Sequence, residues 1–300
     1  MLNFLLADRA CRNAREAMVP LDVQLVSRHV RAALAEDVGS GDVTTLATVP
    51  ENAAARAAMV AREELVVCGL QFAEAAFQSL SSSMRVQLVV KDGARIQHGV
   101  KVMEVEGPAR ALLTAERVAL NFVQRLSGVA TLTARFVEAV AGTRAKILDT
   151  RKTTPGWREL EKYAVRCGGA QNHRTGLWDM VLIKDNHLAA LRDAAPNAIA
   201  AAVQRAREKY PTLKIEVEAD TLEQVRQAVD AGADIVLLDN MALEQLREAV
   251  RLVNGRAKTE ASGGVNLQTV RAIAETGVDY ISAGSITHSA RAVDIGLDFH

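Results

Sequence analysis

Residues 149–187 concentrate cationic side chains more than any other segment of the chain. The cations are Arg151, Lys152, Arg158, Lys162, Arg166, His173, Arg174 and Lys184. Short apolar runs at 147–148 and 180–183 frame this stretch, and charged residues follow each run. α/β enzymes carry their catalytic groups at the carboxyl ends of their strands. The stretch therefore predicts a pocket for a ligand with several negative charges.

The second half of the chain repeats an apolar run, a polar residue, a loop and a helical segment. The runs that predict strands are 146–150, 180–185, 214–220, 234–240, 258–264 and 279–285. Helical segments lie between them, at 188–209, 221–231, 242–253 and 267–276. Since hairpin signals are missing, the repeats predict parallel strands in a barrel or a doubly wound sheet. The sequence contains neither GxGxxG after a strand nor GxxxxGK[ST], which argues against dinucleotide and P-loop sites.

The polar residues at the strand ends favour the barrel. They are Arg151, Lys152, Lys184, Glu218, Asp239, Ser262, Gly284 and Ser285. A closed barrel brings all of these positions to one mouth, whereas a doubly wound sheet would separate several of them. Glu218 and Asp239 offer oxygen ligands to Mg²⁺, directly or through water. Two turns after the last strands are typical of phosphate-binding loops: Ser262, Gly263 and Gly264, and Ala283, Gly284 and Ser285.

The first third of the chain predicts a separate α+β module, as the length of 300 residues allows. Helical patterns cover 21–37 and 70–80, and strand patterns cover 53–67, 86–90, 100–105 and the segment after Gly107. Thr114 has the residue type of a helix N-cap, which would place Arg117 in the first turn, beside a ligand or in solvent. Ser127 and Gly128 predict a bend where this module leads into the next.

Composition argues against several classes of partner. Lys+Arg and Asp+Glu both total 36 and aromatics make up 4%, so we expect neither nucleic acid nor a membrane as partner. Cys11, Cys68 and Cys167 form no CxxC motif, which argues against disulfides and zinc and favours a reducing cytoplasm. We interpret Cys167 as a small buried residue rather than a nucleophile. Residues 1–18 predict a helix or irregular lead-in without a membrane span or secretory signal.

These features together require a substrate with a phosphate, further anionic groups and a divalent metal. Transfer from a phosphorylated sugar pyrophosphate meets the requirement, and so does a Schiff-base lyase with Lys152 or Lys184 as nucleophile. A lyase lysine needs a depressed pKa and a largely apolar or singly cationic surrounding, so the cluster of cations favours the transfer. A regulator that only binds a phosphosugar would not need both Glu218 and Asp239.

Long motifs resemble the quinolinate phosphoribosyltransferase family. They are DTRKTTPGWRELEKYAVRCGGAQNHRTGLWDMVLIKDNH, the preceding LLTAERVALNFVQRLSGVAT, and the later EVEADT, LLDNM, EASGGV and ITHS. The resemblance runs from 36–42 to 294–299. It implies an N-terminal α/β sandwich domain, 1–126, and an incomplete, seven-stranded TIM-like α/β barrel, 127–287. The tail 288–300 is expected to return to the first domain as a strand over 293–299.

The resemblance also implies an activity. Such a pentosyltransferase couples quinolinate to phosphoribosyl pyrophosphate and releases diphosphate and CO₂, which gives nicotinate mononucleotide for NAD biosynthesis. A molybdenum-associated relative shares the fold, so a related transferase for another anionic substrate stays an alternative. The resemblance further implies Mg²⁺ as cofactor and a homodimer in which Arg117 reaches the site of the other copy.

Family site residues map onto this sequence by motif. The positions that resemble substrate-binding residues are Arg117, Thr150, Arg151, Lys152, His173, Arg174, Lys184, Glu218, Asp239, Ser262, Gly263, Gly264, Ala283, Gly284 and Ser285. Lys152, Lys184, Glu218 and Asp239 are the expected catalytic residues, with the two acids near Mg²⁺. The arginines would clamp the carboxylates of quinolinate, since a guanidinium binds a planar carboxylate through two hydrogen bonds.

Overall fold

The structure, a computed structural model, describes residues 21–300. The lead-in predicted for 1–18 and Cys11 lie outside the described residues. The described chain forms two compact units. The first holds the residues up to Thr131 with Arg166–Gly169 and Arg291–His300, and the second holds Leu132–Val165 and Ala170–Ala290. The domain ranges 1–126 with 288–300, and 127–287, stay a prediction.

A four-stranded sheet forms the centre of the first unit. Its helices are α1 Val23–Val38, α2 Val43–Thr48, α3 Leu70–Leu80 and the first part of α4 Ala109–Ala139. Its strands are β1 Ala54–Ala61, β2 Leu65–Val66, β3 Arg85–Leu88, β4 Arg95–Ile96, β5 Lys101–Pro108 and, at the end of the chain, β12 Ile295–Phe299. The sheet order is β12-β1-β5-β3, and β2 pairs separately with β4. The strand predicted over 293–299 is thus present, antiparallel to β1.

Packing and capping explain why α3 forms where its periodicity predicts it. The helix buries Phe72 and Phe77 completely. Phe72 stacks on Phe122 of α4, with the ring centroids 4.8 Å apart. The Asp92 carboxylate accepts the N–H groups of Gly69 and Leu70 at 3.0 and 3.2 Å, at the helix start where N–H groups lack intrahelical acceptors. The apolar face and the cap therefore agree on where the helix begins.

Two predictions about the start of α4 are wrong. The residues after Gly107 form no separate strand, because β5 ends at Pro108 and α4 begins at Ala109. Proline has no N–H for a strand ladder, so it marks the end of β5. Thr114 is consequently not an N-cap but lies inside the helix, where its hydroxyl donates to Asp42 Oδ2 over 3.1 Å.

The bend predicted at Ser127 and Gly128 is also wrong, since both residues lie within α4. Ser127 Oγ accepts the N–H of Cys68 at 2.8 Å. A Cβ at Gly128 would stand 1.9 Å from the carbonyl oxygen of Arg291. Ser127 and Gly128 are small, so the backbone at Cys68 and at Arg291 can approach α4 closely. They do not form a turn.

The second unit is built around six parallel strands. They are β6 Lys146–Leu148, β7 Val181–Ile183, β8 Ile215–Ala219, β9 Ile235–Asp239, β10 Lys258–Ser262 and β11 Tyr280–Ser282. Their order is β6-β11-β10-β9-β8-β7, and Leu148 adds an isolated parallel bridge to Gln171. The incomplete TIM-like α/β barrel is confirmed. Where a seventh strand was expected, the described residues form only the isolated bridge at Gln171. Two residues later, the backbone N–H of His173 donates to the Asp149 carboxylate rather than to a neighbouring strand.

Helices connect these strands: α5 Arg158–Cys167, α6 Asp185–Ala189, α7 Ala198–Lys209, α8 Leu222–Asp230, α9 Leu243–Val253, α10 Val270–Ala274 and α11 Ser285–His288. The single helix predicted for 188–209 is wrong, since a loop with Pro196 separates α6 from α7. Proline lacks an N–H and disfavours helical conformation in the preceding residue. Asn197 then caps α7 by accepting the N–H of Ala200 at 2.8 Å. No helix in the part of the chain that the structure describes is long and apolar enough to cross a membrane.

Candidate active site

The predicted site residues of the second unit lie at the carboxyl ends of its strands. Glu218 is the penultimate residue of β8, Asp239 ends β9 and Ser262 ends β10. Asp239 and Ser262 are register partners, so their backbones are adjacent. The residues after β6, β7 and β11 are Thr150, Arg151, Lys152, Lys184, Ala283, Gly284 and Ser285. Because all of these strands are parallel, the positions share one edge of the sheet.

A buried ion pair fixes the chain around His173. Lys162 Nζ donates to Asp149 Oδ1 at 2.5 Å and to the carbonyl oxygen of His173 at 2.9 Å. Asp149 also accepts from Asn172 Nδ2 at 2.7 Å and from the N–H of His173 at 2.8 Å. Burial raises the pKa of Asp149 and lowers that of Lys162, although the pairing opposes both shifts. Lys162 therefore supports the backbone of the site instead of facing a ligand.

Arg158 also supports loops. Its guanidinium donates to the carbonyl oxygens of Thr175, at 3.1 Å, and Arg151, at 3.4 Å. One helical turn on, Glu161 accepts the N–H and hydroxyl of Thr154 at 3.1 and 2.8 Å. The side chains of α5 thus tie the loop after β6 to the loop before β7.

Arg151 and Arg174 form a pair of like charges. Burial and then the charge of Arg151 lower the pKa of Arg174. Arg174 Nη1 donates to the carbonyl oxygen of Met180 at 3.2 Å. The Nε–H of Arg151 is buried and has no acceptor among the described residues. Two repelling guanidiniums with an unpaired buried donor are the arrangement that a carboxylate would stabilise.

His173 lies close to two carboxylates, those of Glu216 and Glu260, that the sequence patterns did not predict as site residues. Its Nε2 lies 3.0 Å from Glu216 Oε2 and 3.6 Å from Glu260 Oε2. Burial opposes the charge of the imidazolium, but the two carboxylates outweigh it and raise the pKa of His173. The signal was present in the alternation of IEVEA: Glu216 and Glu218, two residues apart on β8, leave the same face of the strand.

Lys184 and Glu218 form an ion pair between the neighbouring strands β7 and β8. Asp239 Oδ2 accepts from Asn240 Nδ2 at 2.7 Å. Among the described residues, neither acid belongs to a cluster of three or more candidate metal ligands. This donor set fits Mg²⁺, which proteins commonly hold through one or two carboxylates together with substrate phosphates.

Glycine is required in one predicted phosphate loop, and Lys152 lies against the other. Gly263 has a φ of 93°, and a Cβ there would stand 2.1 Å from Asn240 Oδ1. The carbonyl oxygen of Lys152 accepts from Thr287 Oγ1 at 2.8 Å. A Cβ at Gly284 would approach Lys152 Cδ within 3.0 Å. The exposed Lys152 side chain is therefore placed beside the 283–285 loop.

Two further residues of interest belong to the first unit. Arg117 is exposed in the interior of α4, not in its first turn, and makes no hydrogen bond or ion pair with the described residues. Cys167 is buried, as predicted, with its Sγ 3.4 Å from that of Cys68. Burial raises the pKa of the Cys68 thiol. The roles of all predicted site residues stay predictions.

Comparisons with known proteins agree with this architecture. The quinolinate phosphoribosyl transferase C-terminal domain matches residues 129–298, and the N-terminal domain of that family matches 42–127. The chain is 46% identical over 275 residues to the nicotinate-nucleotide pyrophosphorylase [carboxylating] of Mycobacterium leprae, which covers 90% of this chain and 95% of that protein. It is 44% identical over 264 residues to the probable enzyme of that name from Bacillus subtilis, which covers 88% and 89%.

A solved structure of nicotinate-nucleotide pyrophosphorylase from Francisella tularensis superposes with a TM-score of 0.89 at 39% identity. It covers 96% of this chain and all of that one. Both family domains and nearly the whole length of the chain are therefore matched. The chain belongs to the quinolinate phosphoribosyltransferase family.

Proposed function

We propose that this chain transfers the phosphoribosyl group of phosphoribosyl pyrophosphate to quinolinate and releases diphosphate and CO₂, giving nicotinate mononucleotide. The observation that supports this most directly is the pair Arg151 and Arg174, with one buried N–H donor unsatisfied. A dicarboxylate brings two negative charges to these two guanidiniums, whereas a monocarboxylate brings only one.

The acceptor side of the site is built for a planar anion. Guanidinium groups bind carboxylates through two parallel hydrogen bonds, and a lysine ammonium lacks that fork. The supports around Asp149, Lys162 and Arg158 hold the loops that carry both arginines. The clamp is therefore preorganised, so little conformational freedom is lost when quinolinate binds.

The donor side combines cations, acids and glycine loops. Lys152 and Lys184 would neutralise charge on the departing diphosphate, and the 262–264 and 283–285 loops would hold the 5′-phosphate. Glu218 and Asp239 would hold Mg²⁺ together with substrate oxygens, directly or through water. A bound Mg²⁺ supplies further electrostatic stabilisation of the diphosphate.

The reaction proceeds by displacement at C1 of the ribose. The lone pair of the pyridine nitrogen forms the new bond to C1, and the bond from C1 to the diphosphate oxygen breaks with its electrons. Glu218 and Asp239 stabilise the positive charge of the oxocarbenium-like transition state. The quaternary ring nitrogen then accepts electron density as the adjacent carboxylate leaves as CO₂, and a proton from solvent replaces it on carbon. No general base is needed for the transfer, since the attacking nitrogen carries no proton.

The Schiff-base lyase alternative finds less support. An amine must offer a free lone pair to attack a carbonyl. The amino group of Lys184 instead forms an ion pair with Glu218. Borohydride treatment after substrate addition tests the alternative directly, because it would leave a covalent adduct on Lys152 or Lys184 only if a Schiff base forms.

We also propose a homodimer in which Arg117 enters the site of the other copy. Its exposure and lack of a partner among the described residues support this. Mixing two impaired variants, Arg117→Ala and Lys152→Ala, should restore part of the activity, because mixed dimers then contain one intact site. A mixture that stays inactive although hybrids form would remove Arg117 from this role. A cytoplasmic location stays a prediction from the cysteine content.

Release of CO₂ is the measurement that tests the proposed function. Purified protein with Mg²⁺, phosphoribosyl pyrophosphate and quinolinate labelled in the 2-carboxylate should release label and form nicotinate mononucleotide in equal amounts. Replacing quinolinate by nicotinate, which lacks that carboxylate, is the matched control. Consumption of phosphoribosyl pyrophosphate without labelled CO₂ would assign the chain to another phosphoribosyl transfer.

A further inference from the structure

Glu216 and Glu260 place two carboxylates in the interior of the parallel sheet. Both are completely buried, one on β8 and the other on β10, with β9 between them. Their oxygens lack a hydrogen bond of good geometry among the described residues. They converge on one ring, since His173 Nε2 lies 3.0 Å from Glu216 and 3.6 Å from Glu260. Such a pair is costly to bury, so its presence requires an explanation.

The two carboxylates act on each other as well as on the ring. Burial and then the negative charge of Glu216 raise the pKa of Glu260 to about 8. Of the two carboxylates, that of Glu216 lies nearer to His173 Nε2, at 3.0 Å against 3.6 Å for Glu260.

Each polar atom of His173 lies against a polar group of the protein. Its N–H donates to Asp149 at 2.8 Å, and its carbonyl oxygen accepts from Lys162 at 2.9 Å. Its Nδ1 accepts the backbone N–H of Arg174 at 2.8 Å. An accepting Nδ1 carries no proton, so the ring proton is on Nε2 and faces Glu216. Both ring nitrogens therefore lie against groups of the protein: Nδ1 accepts from Arg174, and Nε2 lies 3.0 Å from Glu216 Oε2.

We propose that Glu216 and Glu260 are positioning residues that hold the His173 ring, and that the ring in turn holds the backbone of Arg174. His173 then acts on the acceptor only through the Arg174 guanidinium. This inference rests on the proposed function for the role of Arg174 as a carboxylate ligand. It changes the assignment of His173, which family resemblance places among the residues that bind substrate.

The ring tautomer tests the arrangement without any turnover. Protein labelled with ¹⁵N-histidine should show His173, assigned through ring-to-backbone correlations, with a protonated Nε2 and an unprotonated Nδ1. Quinolinate should leave this pattern unchanged. An Nδ1-protonated tautomer, or a new hydrogen bond at a ring nitrogen when quinolinate binds, would overturn the proposal. Since no substrate conversion is needed, this result is independent of whether CO₂ is released.

Kinetics distinguish positioning from contact. Glu216→Gln should raise KM for quinolinate by about tenfold and change KM for phosphoribosyl pyrophosphate by less than about twofold. Glu248→Gln, an exposed site on α9, is the matched control and should change neither. Equal increases in both KM values would contradict the proposal, because they indicate a general loss of structure.

A double-mutant cycle gives the sharpest comparison. His173→Gln removes the Nδ1 acceptor of the Arg174 N–H, and His173→Asn can replace it with Oδ1. The double variant His173→Gln with Arg174→Lys should have a quinolinate affinity within about threefold of that of Arg174→Lys alone. The reason is that the free-energy changes of coupled substitutions do not add. His173→Asn should recover part of the loss in His173→Gln. Two results would overturn the proposal. One is a double variant whose loss of quinolinate affinity equals the product of the two single losses. The other is a stoichiometric metal ion that stays in the wild type through dialysis and is absent from Glu216→Gln.

Discussion

Lys162 donates to Asp149 over 2.5 Å, and solvent reaches only 3% of the lysine side chain and none of the aspartate. Removing one member of a buried pair leaves an uncompensated charge, which costs about 3–5 kcal/mol. We therefore expect Lys162→Met to lower the free energy of unfolding by about that amount in urea titrations. The control is Arg226→Ala, which breaks the exposed Glu223–Arg226 pair and should cost less than about 1 kcal/mol. Similar losses in both variants would contradict the structural role of the buried pair.

Arg174→Lys should weaken quinolinate binding by about tenfold or more and preserve the fold, because an ammonium cannot reproduce a bidentate carboxylate contact. Direct calorimetric titration with quinolinate measures the affinity, and circular dichroism checks the fold. Arg205→Lys, at an exposed position of α7, is the matched control. Unchanged affinity in Arg174→Lys would remove this side chain from the site.

Lys152→Ala should lower kcat by about a hundredfold or more if the ammonium stabilises negative charge on the leaving diphosphate. The binding affinity for quinolinate should change little, since Lys152 lies beside the 283–285 loop rather than in the arginine pair. Single-turnover kinetics measure the chemical step. Lys91→Ala, an exposed change in the first unit, should leave it unaffected. Loss of quinolinate affinity with unchanged kcat would move Lys152 to the acceptor side.

Gly128→Ala should destabilise the protein by about 1–3 kcal/mol, as overpacking does in tight interiors. The added Cβ would stand 1.9 Å from the carbonyl oxygen of Arg291, a backbone atom that must shift. Thermal and urea unfolding measure the loss. Asn121→Ala is the control in the same helix, at an exposed position. A neutral or stabilising Gly128→Ala would show that the C-terminal segment moves aside without cost.

Asp279→Asn should destabilise the chain at neutral pH and much less in acid. Burial opposes ionisation of Asp279, but hydrogen bonds from Thr259, Arg144 and Lys258 outweigh it and hold its pKa at about 2. Because the folded-state pKa lies below the unfolded value of about 3.9, the stabilisation is present above about pH 4 and disappears as pH falls through about 2.

The difference in unfolding free energy between Asp279→Asn and the wild type should therefore be on the order of 1–2 kcal/mol at pH 7 and shrink below pH 4. Urea titrations across this range measure it. A difference that stays constant from pH 7 to pH 2.5 would indicate that the carboxylate charge contributes nothing.

The repeated apolar runs predicted the parallel unit almost completely. All six observed parallel strands, β6 to β11, fall within predicted runs. Strands that are buried on both faces are rich in apolar residues, as at 235–238 in β9. Helix boundaries were less predictable. Thr114 has the residue type of a cap, but α4 begins at Ala109 because no residue between 109 and 113 interrupts a helix. A local capping signal does not show whether the preceding turn is also helical.

Two buried acids show a different failure. Glu216 and Glu260 lie inside strands β8 and β10, whereas the predicted site residues are the polar residues at strand ends. The pairing of His173 with both depends on three segments that are far apart in sequence. The residue spacing within any one of these segments cannot predict that the three side chains come together.

The sequence itself predicts the order of strands and helices, the single edge that collects their polar ends and an anionic ligand, because period and residue type are local properties. Only the tertiary structure shows which cations have side-chain donors left for such a ligand. Lys162 and Arg158 have the same charge as Arg151 and Arg174, yet the former two support loops while one donor of Arg151 is left without an acceptor among the described residues. The difference arises because burial and the reach of neighbouring acceptors depend on how distant segments pack.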